Sequence, residues 1–250
     1  MSGHSKWAQI KRQKGANDAK RGQMFTKLAR EITVAARQGG RDPDTNFRLR
    51  LAIQRARSLN MPQENIQRAI ARAAGPGEGE AHLEEVTYEG YGAGGVAIFV
   101  EALTDNRNRT VAEVRNVFTR HGGSLGENGS VAWLFDPRGV VSVNIDSQDP
   151  DEVALKAIDA GAVDVNQDGS MLEVYTEVED LERVRQAIEA AGLEVEAAER
   201  TLVPKTQIKL DDQRSIQVVR LIERLEDLDD VQSVSTNLEL SQDLVARLAS

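Results

Sequence analysis

Sixteen of the first 75 residues are Lys or Arg and five are acidic (Asp18, Glu31, Asp42, Asp44, Glu64), a local net of +11. The other 175 residues carry 15 basic and 35 acidic side chains, a net of −20, so the overall charge of −9 conceals a segregation. Cations at that density neutralise phosphates, which points to a polyanion-binding module attached to an acidic body. At physiological salt the Debye length is about 8 Å, so a module held a few tens of Å away escapes the repulsion of that body. A bipolar surface kept for solubility is the alternative. Lys6, Lys11, Arg12, Lys14, Lys20 and Arg21 surround Trp7, whose ring offers a stacking face for a base or a packing face for the helices that follow. A second candidate is the run Asp105-Asn-Arg-Asn-Arg-Thr110 at a strand-to-helix junction. Free amides with Arg107 and Arg109 there suit a phosphate. The alternative is a helix capped by Asp105 with two exposed arginines, which could be replaced at under about 0.5 kcal/mol.

Other chemistries find no residues to carry them. Cysteine is absent, which excludes disulfides, thiolate metal sites and cysteine nucleophiles. His4, His82 and His121 are scattered. No phosphate-binding P-loop, paired-histidine zinc motif or nucleophile elbow occurs. Acidic pairs such as Glu179/Glu182 read as solvated helix faces. Gly92–Gly95 lies between two strands and reads as a hairpin turn. Gly122–Gly129 follows a helix and precedes a strand, the reverse of a phosphate cradle, and reads as a C-cap and connecting loop. The expectation is no catalysis, no metal and no cofactor.

The elements that must position these residues follow from periodicity. Segment 2–22 is too polar to bury a core. A helix over Asp18–Gln38 places Phe25, Leu28, Ala29, Ile32, Ala35 and Ala36 inward, with Lys27, Arg30 and Arg37 opposite. Gly39-Gly40 stops it. Asp42-Pro43 reads as the start of a second helix with stripe Leu49, Ala52, Ile53, Ala56 and Leu59, flanked by Arg48, Arg50, Arg55 and Arg57. A third helix opens near Met61-Pro62 and ends at Gly75.

Residues 75–80 form a glycine-rich linker where the charge changes sign, and the period changes after it. Strands are expected at 86–91, 96–103, 131–135, 139–145, 163–165, 171–176, 193–201 and 231–240, with helices at 105–121, 150–160, 178–191 and 212–228. The fold class is therefore α+β. A three-helix bundle (1–75, with a flexible tail) precedes a discontinuous α/β domain (81–137 plus 205–240). Residues 138–204 form an inserted ferredoxin-like βαββαβ domain.

The segments GHSKWAQIKRQKGANDAKRGQMFTKLAREITVAARQGGRDPDTNFRLRLAIQRA, NMPQENIQRAI (60–70), YEGYGAGGVA (88–97), TDNRNRTVAEVRNVF (104–118) and GGSLGENGSVAWLF (122–135) resemble the YebC/PmpR family. That family includes probable transcriptional regulators of bacteria and the mitochondrial translational activator of cytochrome c oxidase subunit I. The resemblance covers residues 2 to about 235. It implies three domains, no enzyme activity, and roles in transcription through DNA and in ribosome-associated translation, including of proline-rich stretches. Ala93 stands where the family usually has Pro, and Ser235–Ser250 departs from its usual ending. The expected protein is a cytoplasmic, non-enzymatic regulator of gene expression that binds nucleic acid, DNA or ribosomal RNA, with the ribosome as a second candidate partner. Neither membrane nor small-molecule substrate is expected. A translation factor and a protein–protein adaptor built on the acidic domains are the alternatives.

Overall fold

The computed structural model describes residues 18–73, 83–146 and 148–249. Among the described residues three helices come first: α1 (Asp18–Gly39), α2 (Phe47–Ser58) and α3 (Gln63–Arg72). Leu28, Ile32, Ala35, Leu49, Ile53 and Ile66 close their common core. α2 begins at Phe47, later than the Asp42-Pro43 start expected from sequence. Asp42 instead caps a turn, accepting from the Asp44 amide at 2.9 Å. The helix cap is Asn46, which is buried. Its Oδ1 accepts from the Leu49 amide (3.0 Å), while its Nδ2 donates to the carbonyls of Ala35 (2.8 Å) and Gly40 (2.7 Å). One side chain thereby satisfies the end of α1 and the start of α2, which a surface aspartate cannot do.

β1 (Glu84–Tyr91) and β2 (Ala97–Thr104) form an antiparallel hairpin. Gly94 takes φ +68° in its turn, a conformation that costs glycine little. α4 (Arg107–Arg120) follows. Its cap is Asn106, not Asp105: the Asn106 Oδ1 accepts from the Arg109 amide at 3.1 Å. α4 ends in a Schellman arrangement, with Gly122 at φ +74° and the Gly123 amide donating to Phe118 O at 2.8 Å. β3 (Ser124–Leu125) lies on the outer side of β1.

The segment Val131–Phe135, expected as a strand, is a single 3₁₀ turn over 132–134, and one strand, β4, runs from Phe135 to Asn144. It passes through Pro137 because only one neighbour pairs there, so the missing N–H orphans no ladder bond. α5 (Pro150–Asp159), β5 (Asp164–Asp168), β6 (Met171–Thr176), α6 (Leu181–Ala190) and β7 (Glu194–Pro204) complete a sheet of order β5-β6-β4-β7, antiparallel throughout. This is the ferredoxin-like arrangement expected from the βαββαβ order.

β8 (Ile208–Lys209), α7 (Asp212–Glu226), β9 (Val231–Thr236), β10 (Leu238–Glu239) and α8 (Gln242–Ala249) finish the chain. β9 lies antiparallel to β2, giving the sheet β3-β1-β2-β9. The expected single strand 231–240 breaks at Asn237, whose buried Oδ1 accepts from the Ala97 amide at 2.8 Å. β10 then pairs parallel with β8. α8 lies beyond the elements expected from sequence; its Leu244 and Val245 join the core that Val114, Phe118, Val218, Leu221, Ile222 and Leu225 build on the sheet. The chain separates into two compact units, Phe135–Pro204 and the remainder.

Candidate nucleic-acid interface

Lys6, Trp7, Lys11, Arg12 and Lys14 lie outside the described residues. Lys20 falls in the first turn of α1. Arg21 is exposed, its guanidinium 5.6 Å from the centre of the Phe25 ring. Arg55 and Arg57 project from α2 into solvent, and Arg55 comes within 3.7 Å of Glu31. Arg37 and Arg50 are half-buried, with stems along the bundle. Arg50 reaches the Asp44 carbonyl at 3.3 Å.

The remaining candidates are paired with protein groups, Arg48 and Arg107 while still exposed. On α1, Gln23, Lys27 and Arg30 share one face and meet the turn between α7 and β9. Gln23 donates to the Asp227 carbonyl (2.5 Å) and to Asp229 (2.8 Å), and Lys27 to the Glu226 carbonyl (2.5 Å). These carbonyls belong to the end of α7, where the helix dipole favours cations. Arg30 donates to the Asp229 carbonyl (2.8 Å) and to Asp230 Oδ1 (2.9 Å). On the first strand, Glu85 accepts from Arg48, and Glu84 accepts from Arg107 Nε at 2.6 Å.

Asp230 is the centre of this seam. Its side chain is 3% exposed. Oδ2 accepts from Arg109 Nη2 (2.7 Å), Thr110 Oγ1 (2.7 Å) and Thr104 Oγ1 (3.1 Å), while Oδ1 holds Arg30. Burial pushes the Asp230 carboxyl up, but the hydrogen bonds from Arg109, Thr110 and Thr104 outweigh it and hold the group below the usual carboxylate range. Asp230, followed by Asp105, in turn raises the Arg109 pKa above its ordinary value. Arg109 is therefore no simple surface arginine, contrary to the sequence expectation: its removal strips a buried carboxylate of a charged donor. Two candidates from distant segments, Arg30 and Arg109, meet on one aspartate.

Sequence reasoning missed two carboxylates. Asp230 sits in an acidic run, Asp227–Asp230, with nothing local to set it apart from its neighbours. Glu89, 4% exposed, accepts from the amides of Gly129 (2.6 Å), Val131 (2.7 Å) and Ala132 (2.8 Å). Burial pushes this carboxyl up and the three amides pull it below its ordinary value. The end of the glycine loop is thus an anion nest filled by the protein's own glutamate.

Among the described residues no group of three His, Asp or Glu side chains is placed to hold a metal, and no helix is long and apolar enough to cross a membrane.

Residues 5–76 match the TACO1/YebC protein N-terminal domain, and residues 83–238 match the TACO1/YebC second and third domain. The chain is 55% identical over 250 residues to a "probable transcriptional regulatory protein" of Herpetosiphon aurantiacus, covering 100% of this chain and 99% of the relative. A protein of the same description from Chloroflexus aurantiacus is 56% identical, with 99% of each chain covered. These matches take in the C-terminal segment as well. Among solved structures, the crystal structure of a conserved hypothetical protein, Aq1575 from Aquifex aeolicus, aligns with a TM-score of 0.82 at 47% identity, over 90% of this chain and 93% of that one. Both halves of the sequence and the fold thus lead to one assignment: the chain belongs to the TACO1/YebC family.

Proposed function

We propose that the protein is a non-enzymatic regulator of gene expression that holds nucleic acid through its basic N-terminal helical segment. The observation that carries this reading is the segregation of charge: +11 over residues 1–75 against −20 over the rest. Arg21, Arg55 and Arg57 are exposed on α1 and α2 and can meet phosphate. The names of the relatives support regulation of transcription as the process. Under this reading the helices, the discontinuous sheet domain and the inserted ferredoxin-like domain act as three functional parts, with the acidic seam setting how the basic helices are presented.

A second reading, association with RNA or the ribosome in translation, is favoured by the outer side of α2. Its exposed cations are arginines, with Gln54 the one amide side chain of the helix, a composition that suits gripping phosphate more than reading base edges. Crosslinking in cells followed by sequencing of the bound nucleic acid separates the two. Enrichment of discrete promoter-proximal DNA supports transcription, and enrichment of ribosomal RNA supports translation. Recovery of neither overturns the proposal.

A further inference from the structure

We infer that a groove between the end of α4 and the outer face of α7 is a second contact for the phosphodiester backbone of a nucleic-acid strand, on the acidic part of the chain. This rests on the reading of the protein as nucleic-acid-binding and extends it to a surface where charge counting predicts none.

The groove is a shallow, open depression of about 720 Å³, a shape that an extended strand can lie across. Thr119, Arg120 and His121 line one wall; Gln213, Gln217 and Arg220 line the other. No acidic side chain lines it. Arg120 and Arg220 are exposed and meet no carboxylate among the described residues. That is unusual in a region with 35 acids against 15 cations. The two aspartates at the start of α7 are already engaged, Asp211 with Arg214 (3.5 Å) and Asp212 with Arg247 (2.6 Å).

The groove sits at a helix C-terminus, where backbone carbonyls repel anions. Here several of the carbonyls at this helix end already have donors. Val117 O accepts from His121 Nδ1 (2.9 Å), Phe118 O from the Gly123 amide (2.8 Å), and His121 O from Gln217 Nε2 (3.2 Å). Half a charge at the helix end, partly cancelled by these donors, faces two whole guanidinium charges. The glutamines and Thr119 add neutral donors for phosphate oxygens. Ile216 is the one aliphatic side chain on the lining, too little for an amphipathic helix to dock on, whereas two cations and two amides suit a polyanionic strand.

The test uses the full chain. Wild type, Arg120→Gln/Arg220→Gln and Gln213→Lys are titrated against a 20-nucleotide oligo(U) and a 20-base-pair duplex by fluorescence anisotropy over a range of salt. Two lost contacts flatten the log–log salt slope on the single strand by about 1.4 and weaken binding about 25-fold at 0.1 M salt. Gln213→Lys tightens binding and steepens the slope, which keeps the test decisive if the double variant melts early. Arg55→Gln/Arg57→Gln serves as the reference for the N-terminal surface. If that reference weakens binding while the groove variants leave it unchanged, the groove inference falls and the proposed function stands. If the wild-type chain binds neither probe, both fall. If the groove variants weaken binding of poly-glutamate but not of either nucleic acid, the groove serves an acidic protein and the inference is overturned.

Discussion

Replacing Asp230 by Asn tests whether one buried carboxylate ties the basic helices to the sheet. The substitution keeps the shape and removes the charge. Arg30 donates to one carboxylate oxygen and Arg109, Thr110 and Thr104 to the other, so an amide oxygen can serve only one of these two sets, and the amide nitrogen presents hydrogens to the other. Hydrogen bonds to a charged group contribute about 1.5–3 kcal/mol each. The arginine side chains are 25% and 43% exposed, so water takes over much of their share. Thr110 retains an alternative acceptor in the Asn106 carbonyl at 3.1 Å. The expected net loss is about 2–3 kcal/mol. At about 2–4 °C per kcal/mol for a unit of this size, the melting transition falls by about 4–12 °C. The pH dependence carries a second signature. The folded carboxyl is held below the unfolded value of about 3.9, so its stabilisation is fully present above that pH. It is lost as pH falls through the folded value. Melting followed by calorimetry from pH 7 to pH 2 should show the gap between wild type and Asp230→Asn at full size at neutral pH, closing in acid. A gap under 0.5 kcal/mol, or one that persists unchanged at pH 2, refutes the reasoning.

Arg109→Ala should destabilise by about 1–2 kcal/mol, and a double-mutant cycle with Asp230→Asn should show coupling, measured by denaturant melts. Glu89→Ala leaves three amides without their acceptor and should cost about 2–3 kcal/mol, with a deficit that narrows as pH drops below about 4 because the folded carboxyl titrates low. Asn46→Ala removes a cap and two carbonyl partners and should cost about 2 kcal/mol, read as a lower melting temperature and faster amide exchange at the start of α2. Arg55→Ala/Arg57→Ala should flatten the salt slope of duplex binding by about 1–2 with little change in circular dichroism.

The parts of the fold readable in the sequence are those where one segment's own periodicity decides its fate. The stripe Leu49, Ala52, Ile53 and Ala56 declared a helix because all four face one core. The β-branched run Val140, Val141 and Val143 declared a strand. What stayed hidden depends on a partner far along the chain. Asn46 outcompetes Asp42 as a cap because its amide also reaches Ala35 and Gly40, a contact invisible in local propensity. Pro137 sits inside a strand because the neighbour on one side begins only at Gly139. The site follows the same rule. Charge density marked Arg30 and a strand-to-helix junction marked Arg109, but nothing in either segment shows that both meet Asp230, some 200 and 121 positions away.

The sheet β3-β1-β2-β9 draws its last strand from beyond the inserted unit, and this sets an order on synthesis. About 130 residues separate the end of β2 from the start of β9. At roughly 5–20 residues per second a ribosome spends about 6–25 s between them. Throughout that interval the edge of β2 lacks its neighbour, and Lys27 and Arg30 lack the turn at 226–230. The ferredoxin-like unit, whose strands are contiguous in sequence, can close first. The nascent chain therefore displays its full basic face, including the two cations later engaged by the seam, for seconds before the acidic C-terminal segment arrives to cover part of it.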